Sequence, residues 1–158
     1  MIKKTLAGIC LMMVIFLVQG CQPEKNTGTI ISDSMVYEPV PGHEVTVGYA
    51  SLYNSGSQDV KLVGISAPEN TVAKTEIHGH RMTDDGNMMM FKVDSLVLPS
   101  HEKVILKPGE YHIMLMGLKN TLVKGDSFLL TFYFSDGSSQ RVSVPVISRT
   151  TSGEALTH

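Results

Sequence analysis

The stretch from Lys74 to Met116, KTEIHGHRMTDDGNMMMFKVDSLVLPSHEKVILKPGEYHIMLM, decides the reading of this chain. It is built from short β-rich runs, each ended by turn residues. Lys74–Met82 reads as a strand, Thr83–Asn87 as a turn around Asp85-Gly86, and Met88–Val93 as the strand that pairs back. Asp-Gly is a hairpin dipeptide because the two-residue turn that matches strand twist needs positive φ at its centre. Leu96–Leu98 stops at Pro99. Lys103–Leu106 runs into the turn Lys107-Pro108-Gly109-Glu110, and Tyr111–Met116 is again a strand.

The same grammar continues on both sides. Thr29–Val36, Val45–Tyr53 and Val60–Ile65 precede this stretch, separated by Pro39–His43 and Asn54–Ser57. Phe128–Phe134 and Arg141–Ile147 follow it as a hairpin around Ser135-Asp136-Gly137-Ser138. No helix-period pattern stands out and no internal repeat is visible. Many short strands cut by turn signals predict an all-β fold, an antiparallel sandwich or barrel.

The first twenty residues stand apart from that domain. Met1-Ile2-Lys3-Lys4 is a positive n-region, Leu6–Val18 an apolar h-region, and Val18-Gln19-Gly20-Cys21 resembles a bacterial lipobox. The segment reads as a secretory signal, too short to be a stable transmembrane helix. Cleavage before Cys21 makes that cysteine the lipidated first residue. Gln22 after it matches the pattern of outer-membrane sorting. The organisation expected is therefore a signal peptide over 1–20, a lipid-anchored tether over 21–28, a domain over 29–147 and a polar tail over 148–158. Cys10 leaves with the signal, so no cysteine remains for a disulfide, a zinc–thiolate site or a nucleophile. With Lys3 and Lys4 removed, 11 basic residues face 15 acidic ones, a net charge of about −4. That balance excludes the basic patch on which nucleic-acid binding depends.

The chemistry lies in the distribution of two residue types. Lys74–Met116 holds six of the ten methionines and four of the six histidines, gathered at its two ends. In a strand, residues i and i+2 share a face, so His112 and Met114 project together. Neutral imidazole and thioether form a soft, uncharged donor set suited to Cu(I), whereas hard cations take oxygens. His78 lies on one arm of the Asp85-Gly86 hairpin and Met88-Met89-Met90 begins the other. Four donors, His78, Met90, His112 and Met114, close a tetrahedron across two strand pairs. Strand parity puts Met88 with Met90 and Met89 on the opposite face, and puts His80 with His78. Met89 and Met116 read as packing residues, since methionine fills irregular gaps in cores. His43, His101 and His158 read as loop or tail histidines, and Asp84-Asp85 as a turn. Ser51 and Ser143 carry no nucleophile motif.

These residues resemble the periplasmic copper chaperone family, PCuAC. Its pattern is His(Met), ten residues, Met, twenty-one residues, His-x-Met. Twenty-one residues separate Met90 from His112 here, and eleven separate His78 from Met90, with Gly79 at the bracketed position. Lys107–Leu118, KPGEYHIMLMGL, is similar to the family's most recognisable stretch, and Tyr49–Asn54 to its strand ending in Asn. Met35 stands where a tryptophan is common. The resemblance spans roughly Thr29 to Ile147. It implies a cupredoxin-like Greek-key antiparallel β-sandwich and one Cu(I) per chain, held by His78, Met90, His112 and Met114. His80 and Met88 stand as auxiliary ligands, with Cu(II) as a candidate metal there. The implied role is non-enzymatic: a monomeric metallochaperone on the periplasmic side of the cell envelope. It delivers copper to the CuA centre in the copper-bearing subunit of cytochrome c oxidase, or to another copper acceptor. A different class of reading is a structural or adhesive surface lipoprotein whose methionines are core.

Overall fold

The computed structural model describes residues 28–149. The leader read over 1–20, Cys21, nearly all of the stretch read as a tether and residues 150–158 lie outside the described residues. The described chain forms ten strands: β1 (Thr29–Tyr37), β2 (Val45–Asn54), β3 (Val60–Ser66), β4 (Val72–Met82), β5 (Met88–Val93), β6 (Leu96–Leu98), β7 (Lys103–Leu106), β8 (His112–Leu118), β9 (Ser127–Phe134) and β10 (Ser139–Ile147). No helix occurs among the described residues, so the all-β class read from the turn grammar holds. The strands are hydrogen-bonded in the order β5-β4-β8-β2-β1-β10-β9-β3-β6.

One edge of β2 is shared by two strands. β8 pairs with its first half, from Val45↔Met116 to Gly48↔Ile113, and β7 with its second, from Ala50↔Leu106 to Tyr53↔Lys103. The turn between β7 and β8 closes through Lys107 N–H to the Tyr111 carbonyl at 2.8 Å, with Gly109 at φ 80°. The positive φ explains the Pro-Gly of the KPGEYHIM stretch, since only glycine adopts it without cost.

All pairings are antiparallel but one. β1 and β10 run parallel, with Val36 opposite Val146 and Tyr37 opposite Ile147. The sandwich is thus mixed at the joint of its two halves. A parallel pair needs a long connection, and the first and last strands have the whole domain between them.

Alternation fixes which face is inside. Ile113 and Leu115 of β8 and Ile77 of β4 are buried with Leu52, Leu130, Phe132 and Val144 in one core. Each such side chain contributes about 1.5–3 kcal/mol on burial. A one-residue slip of β8 would turn Ile113 and Leu115 outward and His112 and Met114 inward, so the core sets the facing of the chemistry. Between the two halves, buried Asn54 donates through Nδ2 to the Leu98 carbonyl at 2.9 Å and the Gln58 carbonyl at 2.8 Å. The Thr75 hydroxyl donates to the Ile65 carbonyl, tying β4 to β3.

Three antiparallel steps, β1 to β2, β2 to β8 and β8 to β4, make β4 antiparallel to β1. The β4–β5 turn therefore lies at the same end of the sheet as Thr29, where β1 begins.

Candidate metal centre

β4 lies between β8 and β5. On one side His78 is opposite His112 and Glu76 opposite Met114. On the other, His80 is opposite Met90, Met82 opposite Met88 and His78 opposite Lys92. Cross-strand partners share a face, and so do residues two apart. Glu76, His78, His80, Met82, Met88, Met90, Lys92, His112 and Met114 consequently occupy one outer face, with Ile77 and Ile113 beneath it in the core. Met89 is opposite Arg81 on the other side. Its sulfur accepts from the Arg81 guanidinium at 3.9 Å, and that guanidinium also lies 5.5 Å from the Phe91 ring centre.

The three imidazoles are grouped. The His80 ring stacks on His112 with centres 5.0 Å apart and an interplanar angle of 28°; His78 lies 6.0 Å from His112 at 55°. His112 is only 3% exposed, covered by its neighbours although it faces outward. That burial lowers its pKa; the Glu110 carbonyl opposes the shift, and the nearby His80 and His78 add to it.

Hydrogen bonds assign one nitrogen of each ring. His112 Nδ1 is 3.0 Å from the Glu110 carbonyl, and His80 Nδ1 is 3.3 Å from the same oxygen. A carbonyl only accepts, so both rings carry their proton on Nδ1 and leave the Nε2 lone pair free. His78 is turned the other way. Its Nε2 donates to Glu76 Oε2 at 2.8 Å, and its Nδ1 is buried without a partner. A buried nitrogen lone pair with no donor is costly unless something fills it. All three rings thus hold one nitrogen by a carbonyl or carboxylate and present the other, the arrangement that orients metal-binding histidines.

Glu76 is the residue that the spacing argument missed. Its Oε1 also accepts from Lys74 Nζ at 2.7 Å, and Lys92 Nζ lies at 3.8 Å. The Lys74 hydrogen bond first, then that from His78, pulls the carboxyl pKa from 4.5 down to about 2. The signal that finds it is the same parity argument, since Glu76-x-His78-x-His80 alternates along one strand.

The sulfur donors differ in exposure. Met114 is half-buried. Met90 is 47% exposed, Met88 59% and Met82 64%. Met89 at 43% corrects the packing expectation for that residue: it faces solvent beside Arg81. Met116, half-buried opposite Val45, lies on the outer face rather than in the core. The register gives a second difference. Met90 is aligned with His80, not His78, so the four expected ligands straddle three cross-strand rows, with His80 directly beside Met90. Among the described residues no three or more His, Cys, Asp and Glu side chains are grouped to hold a metal ion by themselves. His43 and His101 are exposed and lie outside the cluster; His101 has φ 59°.

Comparison with known proteins places the fold and the family. The family model described as "Putative lipoprotein LpqE-like" matches residues 30–146. "Putative lipoprotein Lxx21020" of Leifsonia xyli subsp. xyli is 31% identical over 113 residues, covering 72% of this chain and 67% of that protein. "Uncharacterized protein RP573" of Rickettsia prowazekii is 36% identical over 99 residues, covering 62% of this chain and 53% of that protein. The chain thus spans about two thirds of the length of one relative and about half of the other. Among solved structures, the apo PCuAC domain from PmoF1 superposes with a TM-score of 0.66 at 20% identity, over 77% of this chain and 95% of that one, which shows the fold. The solution structure of CuI-DR1885 from Deinococcus radiodurans gives a TM-score of 0.60 at 28% identity, over 75% and 77%. With the family model spanning most of the sandwich and the backbone following that of PCuAC domains, the chain belongs to the LpqE-like family.

Proposed function

We propose that this protein is an exported metallochaperone that binds one Cu(I) through His78, Met90, His112 and Met114 and passes it to a copper enzyme of the membrane. The observation that carries the reading is the nitrogen set. Three imidazoles on one face each have one nitrogen fixed by a carbonyl or carboxylate and the other left as a lone pair, beside thioethers on the same face. Two similar structures are those of CuI-DR1885 and of the copper-bound PCuAC domain from PmoF2, both copper forms. Two thioethers and no thiolate favour Cu(I) over Cu(II). Copper here is cargo. His112 and His78 supply nitrogen from the covered part of the face, Met114 supplies sulfur beside them, and Met90 supplies it from the exposed hairpin. A donor at the solvent edge is the one that an incoming acceptor can displace first.

The acceptor we infer is the CuA-bearing subunit of cytochrome c oxidase, on the strength of the family resemblance. Lipidation at Cys21 would hold the domain at the periplasmic side of a membrane, in keeping with the lipoprotein name of the family. The structural-lipoprotein reading requires buried methionines, and the exposure of Met82, Met88 and Met90 counts against it.

The test is an anaerobic Cu(I) titration of the full-length chain in detergent against a competing chelator, beside His112→Ala and Met114→Ala. One tight equivalent in wild type, weakened at least about tenfold in each variant, is the expected result. Affinity indifferent to both changes, with the urea midpoint of Met114→Ala strongly lowered, would return the methionines to a packing role.

A further inference from the structure

The donor set proposed for the tight site leaves three donors unused at the hairpin end of the same face: His80, Met82 and Met88. They lie at the tip of the β4–β5 hairpin. Met82 and Met88 are direct cross-strand partners, which places their Cβ atoms about 4.5–5.5 Å apart. His80 is two residues before Met82 on the same strand. The tip that holds them is firmly closed. Thr83 N–H donates to the Asn87 carbonyl at 2.8 Å, the Thr83 hydroxyl donates to the same carbonyl at 2.9 Å and accepts from Asn87 N–H at 3.1 Å, and Gly86 takes φ 78°.

Exposure is the second observation. Among the described residues, Met82 and Met88 are the two most exposed of the large apolar side chains, at 64% and 59%. Core packing does not explain side chains this exposed, and the two sulfurs stand side by side on the face that carries the histidines. The third observation is the His80 tautomer. Its Nδ1 is turned to the Glu110 carbonyl, so its Nε2 keeps a lone pair.

We propose that His80, Met82 and Met88 form a second Cu(I) site, weaker than the first and open to solvent, at the outer end of the same face. This rests on the reading that the chain handles Cu(I). Two thioethers with one imidazole make a soft three-donor set that selects Cu(I). The auxiliary position is thereby assigned to Cu(I) rather than Cu(II). Binding involves no redox step: thioether sulfur and the Nε2 lone pair of the neutral ring enter as donors. Its place is a station on the way in or out: copper held here is one strand-row from Met90 and exposed to a partner, while the tight set lies deeper.

The experiment is the anaerobic Cu(I) titration of the full-length chain in detergent, extended past one equivalent with chelators of two strengths. Sulfur coordination at each step is read by X-ray absorption. The diagnostic variant is Met82→Leu/Met88→Leu, which keeps size and apolarity, swaps that are well tolerated, and removes only the sulfur. Wild type should take two equivalents, the second at least about tenfold weaker for want of a second imidazole. The double variant should lose the second and keep the first within about twofold. His112→Ala should lose the first and keep the second.

A wild type that binds one equivalent only, or a second equivalent that survives Met82→Leu/Met88→Leu, overturns the second site and leaves the tight one standing. The same holds if the tip serves only as an apolar surface for a protein, because leucine would then match methionine in every measurement. A single weak equivalent lost in Met82→Leu/Met88→Leu and untouched by His112→Ala would instead keep the second site and remove the first.

Discussion

Glu76 donates no electron pair in the copper reading, yet the nitrogen chemistry of the face depends on it. Its carboxylate holds His78 by Nε2 and so leaves Nδ1 as the binding atom. Glu76→Gln removes the charge and retains the shape. Its expected effect is a loss of Cu(I) affinity of about tenfold, the low end for a residue that orients a ligand, with the apo fold kept. Chelator competition measures it. The same residue has a signature in acid. Its folded pKa of about 2 lies below the ordinary 4.5, so its contribution to stability is complete above 4.5 and is lost as pH falls through 2. Urea midpoints of wild type and Glu76→Gln should accordingly converge across that window; parallel curves would mean that the Lys74 and His78 contacts carry no net stability. At this scale the sequence was partly legible. His112 and Met114 could be read as co-facial from parity alone. Ring tautomers could not, because they depend on the Glu110 carbonyl and the Glu76 carboxylate, partners that ligand spacing does not point to.

At the scale of elements, the β4–β5 hairpin was readable to the residue, since Asp85-Gly86 fixes the turn and the turn fixes the pairing. Its alignment against β8 was not. That register is set by Ile77, Ile113 and Leu115 entering a core assembled from distant strands, and it put His78 opposite His112 and Glu76 opposite Met114. Gly79 shows what the alignment demands. A Cβ there would meet the Tyr111 ring at 3.0 and 3.1 Å and the Phe91 ring at 3.2 Å. The bracketed methionine of the copper pattern is thus replaced by glycine because two aromatic rings fill the space against the backbone, behind the histidines. Gly79→Ala should destabilise the domain by about 1–3 kcal/mol through that crowding, read as a lower urea midpoint at unchanged slope. An unchanged midpoint would mean that both rings move aside freely. The parallel joint of β1 and β10 escaped the sequence for a plainer reason: local turn signals specify hairpins, and this pair has no local turn.

For the whole molecule, the two histidines of the proposed donor set would make copper retention a function of pH. Imidazole must be neutral to bind. Burial lowers the His112 pKa, so this ring stays ready for metal below the ordinary histidine range, and release should come with further acidification. Cu(I) affinity measured from neutral pH down to about pH 4, well below an unperturbed histidine, is expected to decline steadily. A flat profile would remove the imidazoles from the site. The topology adds a constraint on orientation. The chain enters the sandwich at Thr29, at the end of the sheet where the β4–β5 turn lies. The eight residues from Cys21 to Gly28 reach at most about 28 Å when extended. With a lipid on Cys21, the leash and the methionine tip would leave the domain on one side, toward the bilayer. A membrane-embedded acceptor would then meet the exposed thioethers without the domain turning over, and lengthening the leash would change how far the copper stands from the lipid surface rather than which way it faces.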